Sequence, residues 1–170
     1  RIAANVSLAL GHSDEAAALS KKADQMAAAV HAKFWNATVG GYLDTRQTHY
    51  AMALVADVVP ADLTNAVWDS LEREISVTQR NHIDTGLHGT YFLVKLLTDT
   101  SFGFGGHDDL IHALTTVDTA PGYLDILANG FTAWPEAWGT CNDGDPTAKP
   151  VWQCAQEGNW VSGAQSPTHG

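Results

Sequence analysis

The chain has five glutamates in 170 residues, and one of them stands apart by its neighbours. Glu136 lies in Phe131-Thr132-Ala133-Trp134-Pro135-Glu136-Ala137-Trp138-Gly139, between two indoles and beside a proline that stiffens the backbone. Sugar rings stack on indole faces through their C–H surfaces. A carboxylate held between such platforms is what glycosidic hydrolysis requires, as base, acid or nucleophile. The same window also fits a helix-start glutamate beside core tryptophans, so both readings stand at this point. Glu157, next to Gly158-Asn159-Trp160, is the second candidate carboxylate. Glu15, Glu72 and Glu74 fall on polar helix faces, where solvated surface is expected.

The stretch Asn81-His82-Ile83-Asp84-Thr85-Gly86-Leu87-His88-Gly89-Thr90 reads as a loop entering a helix. Thr85 suits the N-cap, and Gly86 and Gly89 allow close backbone approach. His82 and His88 could reach a ligand, although a loop histidine is as readily satisfied by protein hydrogen bonds. Tyr123 belongs to the last aromatic-rich loop and joins Trp134, Trp138 and His82 as a candidate sugar contact. Asp108-Asp109 fit a helix start, favoured by its dipole, better than a metal site. No CxxC pair is present, and neither a metal nor another cofactor is expected.

Compartment and partners follow from composition. Cys141 and Cys154 sit in a Gly-, Asp- and Pro-rich stretch running from Thr140 to Asn159, where a disulfide would tie down a loop too polar to pack itself. Asn5-Val6-Ser7 and Asn36-Ala37-Thr38 are glycosylation sequons, Asn36 in an expected exposed loop and Asn5 inside a helix. These signals point to a secreted protein. A formal charge of −10, with nine scattered Lys and Arg, would repel a phosphate backbone and excludes nucleic acid as a partner. No apolar run approaches the ~20 residues of a membrane span. The sequence opens at Arg1 in helix and closes at Gly170 after a polar loop, so it is expected to be part of a longer chain.

The elements that must position these residues are helical. From Ser13, as N-cap, to Trp35, the positions Ala16, Leu19, Ala23, Met26, Ala27, Val30 and Phe34 recur three or four apart. A second helix is predicted over 48–58 through Tyr50, Ala51, Leu54, Val55 and Val58. Pro60 opens a third, with Leu63, Ala66, Val67, Leu71 and Ile75 on one face. A fourth follows Gly86 through Tyr91, Val94 and Leu97, and a fifth spans 108–117 with Leu110, Leu114 and Val117 inward. Only the stretch 123–131 offers room for a short extended piece. The fold class is all-α.

The connections alternate in character. Loops 36–49, 79–89 and 118–139 are rich in polar and aromatic side chains, among them Tyr42, Asp44, Arg46, Gln47, His49, Arg80, His82, Asp84 and Asp125. The turns at 59–61 and 98–107 between them are plain. In a stack of antiparallel helical hairpins alternate loops lie at one end, so the rich loops should gather there. An α/α toroid predicts this asymmetry. An α-solenoid does too, but would show a repeat period, and the sequence has none.

Several ordered segments resemble the catalytic domain of the inverting α-L-rhamnosidases. Phe34-Trp35-Asn36 with Gly40-Gly41-Tyr42 is similar to that family's helix end and turn. Gln47-Thr48, Ala51-Met52-Ala53-Leu54 and Val59-Pro60 resemble its next hairpin. His82-Ile83-Asp84-Thr85-Gly86 with Gly89-Thr90 is similar to its His-Leu-x-Thr-Gly, Gly-Thr signature. Pro121-Gly122-Tyr123 to Asn129-Gly130, then Thr132 to Trp138, resembles its run into Trp-Glu-Arg-Trp. Residues 1–139 carry the resemblance, with a weaker match at Ser166-Pro167-Thr168-His169.

The resemblance implies that residues 1–170 form part of an (α/α)6 toroid that hydrolyses terminal α-linked L-rhamnose with inversion, with 140–160 as a disulfide-bearing loop. Glu136 takes the matching position of the general base, and His169 that of a sugar-contacting histidine. Pro135 and Ala137 replace the family's flanking Trp and Arg, which leaves the subfamily and the sugar open. The family's general acid lies upstream, so a further segment or chain carrying that acid and covering the open apolar faces is expected. The competing readings are a polysaccharide lyase on a similar toroid and a carbohydrate-binding fragment without catalysis.

Overall fold

The structure is a computed structural model that describes residues 1–104 and 106–130. Seven α-helices run through these residues: α1 (Ile2–Ala9), α2 (Ser13–Phe34), α3 (Gln47–Val55), α4 (Thr64–Arg73), α5 (Leu87–Thr98), α6 (Asp108–Thr116) and α7 (Tyr123–Ala128). A π-helical segment, Glu74–Thr78, prolongs α4, and a single 3-10 turn, Thr100–Phe102, follows α5. The β content of the described residues is one two-residue antiparallel ladder. It consists of β1 (Trp35–Asn36) and β2 (Gly41–Tyr42), paired Trp35 to Tyr42 and Asn36 to Gly41.

The core comes from the periodic positions. Ala51 and Leu54 of α3, Val67 and Leu71 of α4, Ile75 behind it, Leu93, Leu96 and Leu97 of α5, and Leu110 and Leu114 of α6 are buried together. Spacings of three and four put each set on one stripe of its helix, and burying these side chains is the main term favouring the fold. Helix α3 packs on α5 and α4, while α6 packs on α5 and on the π-helical segment. Trp68 closes the far side by stacking on Phe104 at 4.9 Å between ring centroids.

Several sequence expectations need correction. Of the apolar positions Tyr91, Val94 and Leu97 that mark α5 in the sequence, only Leu97 is buried; Tyr91 and Val94 are 62% and 41% exposed, and Leu93 and Leu96 join Leu97 in the core. Two apolar stripes compete on this helix, and packing against α3 and α6 selects one. Ser13 is the first residue of α2 rather than its cap, a place His12 takes without a side-chain bond. Pro60 opens a turn, not a helix; its carbonyl accepts from the Leu63 amide and the Thr64 hydroxyl before α4 begins. The short extended piece expected at 123–131 is helix α7 over its first six residues, with Ile126 buried.

The connections sort to two ends. Residues 55, 57 and 59 line one cavity with Ser101, Phe102 and Phe104, so the plain turns lie together. At the opposite end the starts of α3 and α5 meet, which makes these helices parallel neighbours. Gly89 lies so close to Thr48 that a β-carbon there would overlap the threonine hydroxyl. Among the described residues the alternation of rich and plain loops is thus realised as two ends of one helical stack.

Candidate functional site

The rich end is assembled around Gln47, in the first turn of α3 and fully buried. Its side-chain amide donates to the His82 carbonyl at 2.9 Å, and its carbonyl oxygen accepts from the Asp84 amide at 3.0 Å. A buried amide must be satisfied on both sides, and here both partners are backbone of the 79–89 loop. The loop is thereby pinned to α3 from 35 to 37 residues away.

His82 carries the pinning onward. Its Nδ1 lies 2.7 Å from the Gln79 carbonyl, which can only accept, so Nδ1–H is the donor. Its Nε2 lies 2.9 Å from the Thr119 hydroxyl, so in the neutral ring Nε2 accepts. Loops 36–46, 79–86 and the first residues after α6 therefore meet through Gln47 and His82. Both ring nitrogens of His82 are engaged within the protein.

Charged groups surround this junction. Arg46 Nε lies 3.1 Å from Asp44 Oδ2, and Arg46 Nη1 lies 3.5 Å from Asp84 Oδ1. His49 Nδ1 approaches Asp44 Oδ1 at 2.5 Å. Burial, the largest influence, pushes the Asp84 carboxyl above its ordinary value; Arg46 opposes it, and the charges of Glu74 and Asp44 add to it. At the more exposed Asp44 burial also acts upward, but His49, Arg46 and the Arg46 amide outweigh it and the net direction is down. Glu74 was expected on a solvated helix face. It is partly buried at the start of the π-helical segment, where its Oε1 accepts from Gln79 Nε2 at 2.8 Å.

The backbone at this end is strained. Five non-glycine residues among those described have positive φ, and four of them sit in these loops: Leu43, Thr45, Arg80 and Asn81. Each costs on the order of 1 kcal/mol relative to a relaxed residue. The π-helical segment leads through Gln79 into Arg80 and Asn81, and such segments are common at functional sites. Thr85 does not cap α5. Gly86 holds that place, and the buried Thr85 hydroxyl lies 2.6 Å from that of Thr90.

The remaining sequence candidates fall as follows. Tyr123 heads α7, partly buried, and burial raises its hydroxyl pKa. His88 is exposed in the first turn of α5. Asn5 is exposed on α1, and Asn36 is exposed at the hairpin, its Oδ1 accepting from the Thr38 amide. Asp108 and Asp109 open α6 as expected. Glu136, Trp134, Trp138, Glu157, His169 and the pair Cys141 and Cys154 lie outside the described residues. The Arg46, Asp44, His49 and Asp84 group was not singled out from the sequence, although its members fall in two loops that the alternation had already placed at one end.

Comparison with known proteins bears on this arrangement. The profile of the bacterial alpha-L-rhamnosidase 6 hairpin glycosidase domain matches residues 1–160. An alpha-L-rhamnosidase of Formosa agariphila is 31% identical over 90 residues, which are 53% of this chain and 9% of that protein. The solved alpha-L-rhamnosidase from Dictyoglumus thermophilum superposes with a TM-score of 0.68 at 24% identity, over 81% of this chain and 15% of that one. At that identity the likeness is one of fold. The chain spans a small part of the length of both relatives.

Proposed function

The chain belongs to the bacterial α-L-rhamnosidase six-hairpin glycosidase domain family, and from that membership we propose that it is part of a glycoside hydrolase releasing terminal α-linked L-rhamnose with inversion. The observation that carries this reading is the meeting of the rich loops at one end of the helical stack, joined by Gln47 and His82. In sequence the last of these loops continues to Glu136.

In this mechanism Glu136 is the general base. It removes a proton from water as the oxygen attacks the anomeric carbon on the face opposite the leaving group. A carboxylic acid from a segment outside this chain protonates the departing oxygen. The two carboxyl groups of an inverting pair stand roughly 6.5–9.5 Å apart, which leaves room for the water. Trp134 and Trp138 offer faces for the sugar, and Tyr123 and His169 are further candidate contacts, while His82, with both ring nitrogens engaged, holds the loops together. The same outside segment, or another chain, is proposed to cover the open apolar faces of α2 and α5. A lyase acting on uronic acids needs a basic cleft for the substrate carboxylates, whereas this end sets Asp44 and Asp84 beside Arg46, with Arg80 as the one other arginine of these loops.

In the complete enzyme Glu136→Gln should lower kcat by at least ~10² and leave KM for an aryl α-L-rhamnoside nearly unchanged, since the amide keeps the shape. Near wild-type turnover by that variant would move the role to Glu157. Secretion, a Cys141–Cys154 bridge and, in a eukaryotic host, a glycan on Asn36 or Asn5 belong to the same proposal. Thiol labelling of the native, unreduced protein checks the bridge, and reaction at both cysteines would eliminate it.

A further inference from the structure

The 79–89 loop is held more firmly than a mere connection requires. A buried glutamine binds it at two backbone points, a histidine staples it to Thr119, and two consecutive left-handed residues, Arg80 and Asn81, are kept in place by these bonds. Strain of this kind persists only where the surroundings over-determine it, and its usual return is the fixed placement of a side chain. The side chain placed here is Asp84. Its amide is tied to Gln47 and its carboxylate faces Arg46.

The Asp84 and Arg46 contact is loose for an ion pair. At 3.5 Å it is longer than the 2.7–2.9 Å of a charge-assisted hydrogen bond. Arg46 makes its tighter contact, at 3.1 Å, to Asp44 through Nε. A guanidinium has five N–H donors, so among the described residues most of the Arg46 fork is left for other acceptors. The Asp84 side chain keeps 26% of its surface in solvent and that of Arg46 keeps 61%. An acceptor-only carboxylate beside a donor-only guanidinium, both accessible, is complementary to neighbouring hydroxyls of a neutral sugar. Each hydroxyl can donate to Asp84 and accept from Arg46.

We propose that Asp84 and Arg46 form a substrate-binding pair for vicinal hydroxyls of a neutral sugar, with Gln47 as the positioning residue that sets Asp84 against Arg46. This assignment rests on the glycoside hydrolase reading and adds two specificity-determining residues to it. The pair binds the sugar and takes no part in proton transfer. Its loss therefore acts on substrate affinity, whereas loss of Glu136 acts on turnover.

The test uses the full-length enzyme, an aryl α-L-rhamnoside as substrate and free L-rhamnose as the calorimetric ligand. Asp84→Asn keeps the shape and the Gln47 bond, which is made by the backbone amide. It also removes a carboxylate that burial and Glu74 disfavour, so the variant should fold. Asp84→Asn and Arg46→Gln are each expected to raise KM and the L-rhamnose dissociation constant about tenfold, the loss of one charged hydrogen bond. Both should keep kcat within about twofold and leave Tm unchanged. The double variant should be little worse than either single one, because the two groups act on the same hydroxyls. Gln47→Ala should show the same rise in KM, and Gln47→Glu should recover part of it at low pH, where the protonated side chain can again donate to His82. Unchanged KM and sugar affinity in both the Asp84 and Arg46 variants, beside a kcat that still depends on Glu136, would overturn the pair and leave the hydrolase reading standing. A raised KM in these variants with no effect of Glu136→Gln would refute the base assignment and keep the pair.

Discussion

Among the described residues, individual polar side chains set local geometry by finding backbone partners. Gln47 is the clearest instance, since a fully buried amide with either bond missing would leave a donor or acceptor unsatisfied at about 1–3 kcal/mol. Asp99 plays a similar part at the other end of the molecule. It follows α5, and its carboxylate accepts from the Ser101 amide at 3.0 Å and pairs with Lys95 at 3.1 Å. The Ser101 hydroxyl and amide, with Lys95, hold its pKa at about 2. The folded pKa lies below the unfolded one, so the stabilisation is fully present above the ordinary Asp range and is lost as pH falls toward 2. Asp99→Ala should therefore lower Tm at neutral pH. The gap to the parent protein should close as the medium is acidified from about pH 4 toward pH 2, followed by circular dichroism. A gap independent of pH would mean that the carboxylate is not the stabilising group.

At the scale of elements, the close passage of α3 and α5 decides where the loops meet. Gly89 makes that passage possible, because a side chain there would run into Thr48. Gly89→Ala should destabilise the protein by about 1–3 kcal/mol, the usual cost of overpacking, despite the better helix propensity of alanine. Thr48→Ala in the same background should restore part of the loss, because it removes the overlapping hydroxyl. Urea unfolding of both singles and the double gives the coupling energy, and strict additivity would show that the two helices do not clash there. Gly41 is a second close approach: a β-carbon would stand 2.5 Å from the Tyr50 hydroxyl, which ties the β-hairpin to α3. At the hairpin His31 stacks on Trp35 at 5.4 Å, and its Nδ1 lies 2.7 Å from the Tyr42 hydroxyl. Burial pushes that hydroxyl up to about 12, so it stays protonated across the working range.

On the scale of the whole molecule the folded surface is uneven. An apolar groove of about 310 Å³ runs between α2 and α3, lined among others by Val30, Phe34, Leu43, Met52 and Ala56. Met52 is 43% exposed and Leu43 is 53% exposed, although both line an otherwise hydrophobic wall. Arg1 pairs with Asp24 on α2 and with Asp57 beyond α3. This groove is a surface on which the proposed covering segment would seat. A Met52→Cys thiol should react rapidly with maleimide in the 170-residue chain and slowly in the full-length enzyme, with the parent protein as the cysteine background. Equal rates in the two forms would show that the groove remains open in the complete protein.

The sequence by itself determined the helical class, the approximate places of α2 to α6, the buried positions Val67, Leu71 and Ile75 along α4 and its extension and Leu110 and Leu114 of α6, and, among the described residues, the sorting of loops to two ends. These properties are local: periodicity and turn residues record them along a few residues at a time. It also carried the ordered motifs that resemble the rhamnosidase catalytic domain, which the family profile matches over residues 1–160. Tertiary structure alone decided the rest. Which of two apolar stripes of α5 turns inward depends on what α3 and α6 present to it. Glu74 left the solvated face because the π-helical segment brings it beside Gln79, and Thr85 lost the cap because α5 starts two residues later. The bonds from Gln47 to the His82 carbonyl and the Asp84 amide join positions 35 and 37 apart. A hydrogen bond across that separation leaves no local pattern in sequence, because its geometry exists only once the two parallel helices have packed.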